Sequence, residues 1–376
     1  MMTAAISVLI SAAAAPAVQL NQIEPAVRQA LQQTGAQGLA LAVIDRGQPV
    51  LVRSWGKRNA AGAPLTTDTV MYGASLTKIA FAYYVLTLVD EGLLNLDASI
   101  ATYLPQPLPS YGNLDAYGNW ADLAGDERWR KITPRMLLTH SAGFANFHWD
   151  EPDERLRIHF DPGSRYSYSG EGIILLQFVL EKGLKRDVGA DVQSRLFDRF
   201  GMARTSLKWR PDFASDLADG WRTDGSVEPH DERGRVRAAG SMDTTIADMA
   251  KLAAAIVRGK GLSPDSRAAL TKPHLPITSS RQFPVLQTEA PPANRWPGLA
   301  AGLGTLVFEG PQGQGFFKGG HNDSTGNIMV CLEQGQRCVV LLANDVRAEA
   351  AFPALVEQIL GPTGLPWRWE YSWLKP

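Results

Sequence analysis

Two cysteines are all that this chain carries in 376 residues. That excludes a small fold stapled by several disulfides and a four-cysteine metal site. Cys331 and Cys338 fall either side of Glu333-Gln334-Gly335-Gln336. With a two-residue hairpin turn at Gln334-Gly335 they stand opposite one another, where they either pair in an oxidising compartment or pack as free thiols. Histidine is sparse too. The six are scattered, with no His-Glu-x-x-His and no Cys/His ligand spacing, so no metal is expected. Charge bias is also missing. The 37 basic and 38 acidic residues leave a formal net charge of -1, which speaks against nucleic acid or an anionic membrane as a partner. Beyond the N-terminus no segment approaches the roughly 18 unbroken apolar residues of a membrane span. Internal repeats and low-complexity tracts are absent, which sets aside stacked-repeat architectures.

What is present is a hydrophobic content of 45%, ample for a large core, in a length that suits one big domain or two interleaved lobes. Met1 to Ala15 is an Ala/Val/Leu/Ile-rich run without an early Lys or Arg, and Ala15-Pro16-Ala17 has the small-residue pattern of a cleavage site. Residues 1–17 therefore read as a secretory signal peptide, with a periplasmic or secreted protein expected and a cytoplasmic one as the alternative. Ile23, Val27 and Leu31 recur every four residues, an amphipathic helix. Gly38 to Ile44 and Pro49 to Trp55 flank Asp45-Arg46-Gly47 as a hairpin. Helical patterns follow at 75–91, 133–139, 172–182, 188–200 and 244–257. Consecutive strands then read at 302–309, 315–318, 327–333 and 337–343, with a last helix around 349–360. Strands at both ends with helices between them bring the termini into one sheet and leave a helical lobe inserted.

Tyr72-Gly73-Ala74-Ser75-Leu76-Thr77-Lys78 runs straight into an apolar helical segment. On a helix that begins near Ser75, the i, i+3 spacing sets the Ser75 hydroxyl beside the Lys78 amine, at the end where backbone N–H groups lack partners. A serine hydroxyl needs an adjacent base, and a lysine kept neutral by burial or nearby cations supplies one. Ser54-Trp55-Gly56-Lys57 and Ser372-Trp373-Leu374-Lys375 match the same pattern. The first lies in a strand, where residues three apart face opposite ways, and the second lies at the C-terminal end. Only Ser75 opens a long helix. An ordinary helix N-cap is the alternative reading of it.

A Ser–Lys pair also needs a second proton-transfer group, N–H donors for an oxyanion and a cation near the substrate. Lys318-Gly319-Gly320-His321 offers a cation on a strand with two small residues that let a substrate approach, against the plainer reading of a strand-end turn. Tyr166 and Tyr168 precede a helix, and a tyrosine shuttles protons if neighbouring cations lower its pKa. His140 sits in Thr139-His140-Ser141-Ala142-Gly143, which lacks the first glycine of a Gly-x-Ser-x-Gly elbow; it reads as a helix-terminus histidine bonding a loop. Pro105 to Lys131, rich in Tyr and Trp, reads as a substrate-lining flap or as a packed surface excursion.

Taken in order, Ser75-Leu76-Thr77-Lys78, Leu137 to Gly143, Pro162-Gly163 with Tyr168, Ala238-Ala239-Gly240-Ser241 and Lys318-Gly319-Gly320 resemble the penicillin-recognising serine hydrolases. The likeness is to the branch with class C β-lactamases, D-alanyl-D-alanine carboxypeptidases, D-aminopeptidases and family VIII carboxylesterases, over about residues 20–360. It implies an α+β, β-lactamase-like fold. An antiparallel sheet flanked by helices forms one lobe, 18–78 with 236–376, and 79–235 forms a mainly helical lobe, with the active site between them. It further implies that Ser75 is acylated, that Lys78 helps to remove its proton, that Tyr168 is partner base and then acid, and that Lys318 holds the site positive. The backbone N–H groups of Ser75 and His321 would form the oxyanion hole, with Gly319, Gly320 and Gly170 lining the substrate site and no metal or organic cofactor.

This chain departs from the family where substrate is read. Tyr-x-Asn becomes Tyr168-Ser169-Gly170, and Lys-Thr-Gly becomes Lys318-Gly319-Gly320. Tyr111-Gly112-Asn113 and Tyr117-Gly118-Asn119 match Tyr-x-Asn but lie before the Thr-His-Ser-Ala-Gly segment. An amide and a hydroxyl suited to amide- and carboxylate-bearing substrates are lost, which favours esters. The expectation is a carboxylesterase with weak β-lactam turnover. The alternatives are a class C-like β-lactamase, a D-amino-acid peptidase or amidase, and a non-catalytic binder. Specificity is expected from the loops 105–131 and 284–296, and the aromatic tail of Trp367, Trp369, Tyr371 and Trp373 is expected to pack.

Overall fold

A computed structural model of the chain describes residues 20–374. The signal-peptide reading of residues 1–17, and Lys375, lie outside the described residues. Helix α1 (Ile23–Thr34) buries Ile23, Val27 and Ala30 on one stripe and stops at Gly35, whose left-handed backbone returns its N–H to Leu31 O. Strands β1 (Gly38–Asp45) and β2 (Gln48–Gly56) follow, closed by Arg46 and Gly47, both at positive φ, the backbone a two-residue hairpin requires.

The remaining strands of the same sheet come late in the chain: β3 (Leu275–Pro276), β4 (Ala300–Ala301), β5 (Leu306–Gly310), β6 (Gly313–His321), β7 (Gly326–Leu332) and β8 (Arg337–Ala343). The spatial order is β2-β1-β8-β7-β6-β5-β4-β3, antiparallel throughout. Thus β1 pairs with β8, so that an early and a late segment of the chain are neighbours near one edge of the sheet. The β7–β8 turn closes on Gln334-Gly335, with Gln336 N donating to Glu333 O at 3.1 Å. Cys331 lies opposite Cys338, and the two are joined by a disulfide.

Both faces of this sheet are covered, which explains why its central strands read as unbroken apolar runs. Leu39, Leu41, Val43, Val339 and Leu341 point to the side of α1 and helix α6 (Phe352–Leu360). Ala40, Ala42, Val340 and Leu342 point to the side of helix α5 (Ile246–Arg258), which starts on a Thr245 cap and ends at Gly259. Behind α5 lies helix α2 (Thr77–Asp90), buried on every side from Thr77 to Leu88, as only a helix through the centre of a large core can be. Residues 79–235 add helices α3 (Pro134–Leu138) and α4 (Gly170–Phe178) and contribute no strand to the eight-stranded sheet.

The excursion 105–131 takes the packed alternative. Leu108, Trp120 and Trp129 are buried, and Tyr111, Tyr117 and Trp120 close around Phe178. The aromatics that make it look like a flap are satisfied by helix α4, with the Tyr117 hydroxyl donating to Glu181. The C-terminal tail packs in part: Trp369 and Tyr371 are buried, on and just after the short helix α7 (Trp367–Glu370), whereas Trp373 is exposed.

Candidate active site

Ser75 sits in a single 3-10 turn, Ala74–Leu76, leading into α2. Ala74 has φ of +46°, a backbone that a Cβ disfavours. The surroundings hold it there: Gly73 N donates to Met242 O at 2.8 Å, Thr77 Oγ1 to Ala74 O at 2.6 Å, and Asn327 Nδ2 to Tyr72 O at 2.9 Å. Strain of this kind persists only where neighbours over-determine it, and it aims the next side chain out of the turn. One turn on, Lys78 Nζ lies 3.0 Å from Ser75 Oγ and donates also to the Ala239 carbonyl. Lys78 is buried, and its burial together with the Lys318 charge holds its amine well below the usual lysine range. The strand match behaves as its geometry predicts, the Ser54 hydroxyl being spent on Leu65 O.

Tyr168 donates its hydroxyl to Ser75 Oγ at 2.7 Å. Its ring has Lys78 Nζ and Lys318 Nζ each 5.0 Å from its centroid. The expectation that cations lower the tyrosine is corrected here. Burial, the largest influence, pushes the phenol up, so the resting side chain is a proton donor. His140 takes the loop-bonding role: its Nδ1 lies 3.0 Å from Ser169 O and its carbonyl accepts Ser167 N at 2.8 Å, which fixes the segment carrying Tyr168. Ser169 then caps α4 by accepting Gly172 N at 3.0 Å.

Lys318, on β6, donates to Gly319 O at 2.6 Å and is pulled down by burial to about 8. Gly320 has a geometric reason to be glycine. A Cβ there would lie 2.9 Å from the backbone nitrogens of Ser75 and Leu76, so β6 can pass the nucleophile turn only without one. His321 follows, its Nδ1 3.2 Å from Glu349 Oε1.

The two positions that depart from the family pattern are occupied from elsewhere. A Cβ on Gly170 would overlap the ring of Phe147, which stacks on Trp149 with centroids 4.3 Å apart. A Cβ on Gly319 would overlap Glu370 Oε1. Phe147, Trp149 and Glu370 therefore join Ser75, Lys78, Tyr168, Lys318, Gly319, Gly320 and His321 around one cavity of about 620 Å³. Sequence reasoning missed all three. The signal was indirect: a glycine where a side chain is expected implies a filler from far along the chain. Gly170 itself is covered by Phe147 and does not line the cavity, contrary to expectation. The loops 105–131 and 284–296 do not line it either. The wall includes Phe147, Trp149, residues 231–235, Arg237 and Phe283 instead. Tyr111 and Tyr117, of the two alternative Tyr-x-Asn triplets, stand apart from it around Phe178. Among the described residues no group of His, Cys, Asp and Glu could hold a metal ion.

Comparison with known proteins agrees with this architecture. A family model described as Beta-lactamase matches residues 23–360. The putative beta-lactamase-like 1 of Homo sapiens is 29% identical over 68% of this chain and 54% of its own length. A D-aminopeptidase of Gluconobacter oxydans is 27% identical over 55% of this chain and 39% of its own. A lovastatin esterase of Penicillium rubens is 28% identical over 50% and 53%. The chain thus spans about half the length of the curated relatives it matches, or less. In fold, the octameric penicillin-binding protein homologue from Pyrococcus abyssi superposes with a TM-score of 0.72 at 18% identity, over 93% of this chain and 79% of that one.

Proposed function

The chain belongs to the beta-lactamase family, and from that premise we propose that it is a serine hydrolase that cleaves carboxylic esters through an acyl-enzyme on Ser75. The observation that carries this reading is the position of Ser75 Oγ between Lys78 Nζ at 3.0 Å and Tyr168 OH at 2.7 Å, with the amine pushed down by burial and the Lys318 charge and the phenol pushed up by burial. Ser75 Oγ attacks the acyl carbon and its proton passes to Lys78. Tyr168 protonates the departing alkoxide and is reprotonated from Lys78, and water then releases the acid. The N–H groups of Ser75 and His321 would hold the oxyanion, and Lys318 would keep the site positive. Substrate enters between two lobes, 18–78 with 236–376 and 79–235.

Esters are favoured over β-lactams and peptides because a phenyl ring stands where the family pattern has an amide, and Gly319 supplies no hydroxyl. Each lost buried pairing is worth about 1–3 kcal/mol, or one to two decades in rate. Nitrophenyl butyrate should accordingly be turned over with a higher kcat/KM than nitrocefin or a D-alanine nitroanilide. A higher value for nitrocefin would replace the esterase reading with a β-lactamase one, and for the anilide with a D-peptidase one. The disulfide Cys331–Cys338 supports an oxidising, periplasmic or secreted location. No helix among the described residues is long and apolar enough to cross a membrane.

The pH profile gives a separate test. Lys318 carries its charge below about pH 8 and loses it as pH rises through that value. An alkaline limb in kcat/KM should therefore appear near pH 8, and Lys318→Arg, always charged, should move it upward by at least one unit. An unmoved limb would mean that another group titrates there.

A further inference from the structure

Glu370 is a buried carboxylate brought into the catalytic cavity by the C-terminal aromatic tail. Its position is fixed by packing. Gln282 N donates to Trp369 O at 2.8 Å, Gln282 Nε2 donates to Glu370 Oε2 at 3.0 Å, and the Tyr166 hydroxyl donates to Gln282 Oε1 at 3.2 Å. The Trp369 indole donates to Ser279 Oγ at 3.2 Å and its ring lies 5.8 Å from that of Tyr166. With Oε2 engaged by Gln282, Oε1 occupies the space in which a side chain at 319 would begin. The charged and titratable groups that face it are Lys318 and His321 from β6, Glu349 from the turn after β8, and the phenols of Tyr166, Tyr168 and Tyr371.

We infer that Glu370 turns the wall of the cavity at Gly319 into a subsite that refuses a substrate carboxylate and receives a hydrogen-bond donor, a hydroxyl or an amine, in its place. The argument is one of charge and position. A carboxylate that reached Gly319 would meet a fixed oxygen of like charge in a desolvated wall, where the repulsion is poorly screened. Glu370 also offsets the Lys318 charge that would otherwise attract an anion. A donor at the same point meets Oε1 in a charge-assisted bond on the cavity wall. The inference rests on the reading of Ser75 as the acylated residue of an esterase.

Two ester series test it at pH 8, one varying the acyl terminus and one the alcohol terminus, each ending in a methyl, a hydroxymethyl or a carboxylate. In at least one series the carboxylate-to-methyl ratio of kcat/KM should rise by on the order of 10-fold in Glu370→Gln, the factor that corresponds to about 1.4 kcal/mol, and the preference for hydroxymethyl should fall. Glu370→Asp, which keeps the charge, should stay near the wild-type ratio. A folding defect would lower every rate together and leave the ratios alone. Ratios unchanged in Glu370→Gln in both series overturn the inference. If the wild type hydrolyses no ester, the esterase reading fails, and the charge preference is then read without turnover, from thermal shifts with phenylboronic acid and 3-carboxyphenylboronic acid. A selective gain for the carboxylated probe in Glu370→Gln supports the subsite, while equal shifts or none overturn it.

Discussion

Ser75→Ala should lower ester kcat by on the order of 10⁴- to 10⁶-fold and abolish covalent labelling by a fluorophosphonate, with the melting temperature little changed. The size of the effect follows from the absence of a substitute. Of the two other serines in a Ser-x-x-Lys pattern, Ser54 is on the sheet with its hydroxyl bonded to Leu65 O, and Ser372 lies in the C-terminal tail. Neither shares a cavity with Lys78 and Tyr168. The fold should survive because α2 is held by its buried apolar surface, to which Ser75 contributes nothing. Labelling that persisted in Ser75→Ala would remove the nucleophile assignment. A wild type that cannot be labelled at all would favour the non-catalytic reading.

Ser75 could be singled out in the sequence because its rivals fail on local geometry, and local geometry is what sequence patterns carry. The strand Gln48–Gly56, the helix from Thr77 and the β7–β8 turn with its opposed cysteines all follow from residue order over short stretches of chain. What stayed hidden is what arrives from a distance. Phe147 covers Gly170 from 23 positions away, and Glu370 reaches Gly319 from 51 positions away. Nothing in Trp367-Arg368-Trp369-Glu370-Tyr371 distinguishes a catalytic-cavity carboxylate from the solvated residue of an amphipathic tail. The loop 105–131 misled in the opposite sense. Its tyrosines and tryptophans suggested a binding surface, yet the ring they close around, Phe178, is itself a core residue of α4. Tyr168 shows the same limit in electrostatics. Lys78 and Lys318 can be named from the sequence, but the burial that pushes the phenol up cannot.

Lys78→Arg should be nearly as damaging as Lys78→Met, each lowering kcat by on the order of 10³-fold, because the site requires a neutral amine rather than a positive charge. In the wild type burial and the Lys318 charge disfavour the protonated form of Lys78, whose Nζ lies 3.0 Å from Ser75 Oγ, so that the neutral amine offers a lone pair for the Ser75 proton. Activity should consequently rise with pH through the depressed Lys78 pKa, since below it the ammonium has no lone pair to offer, and this acid limb should vanish in both variants. An arginine is always charged and does not deprotonate in a protein. It therefore separates two roles that methionine alone confounds. Should Lys78→Arg retain most of the activity, Lys78 would act by electrostatic stabilisation, and the base would have to be Tyr168. That assignment runs against the burial that keeps Tyr168 a phenol, so the wild-type acid limb would then have to follow the titration of Tyr168. The two variants measured together thus decide which of the partners on either side of Ser75 Oγ accepts its proton.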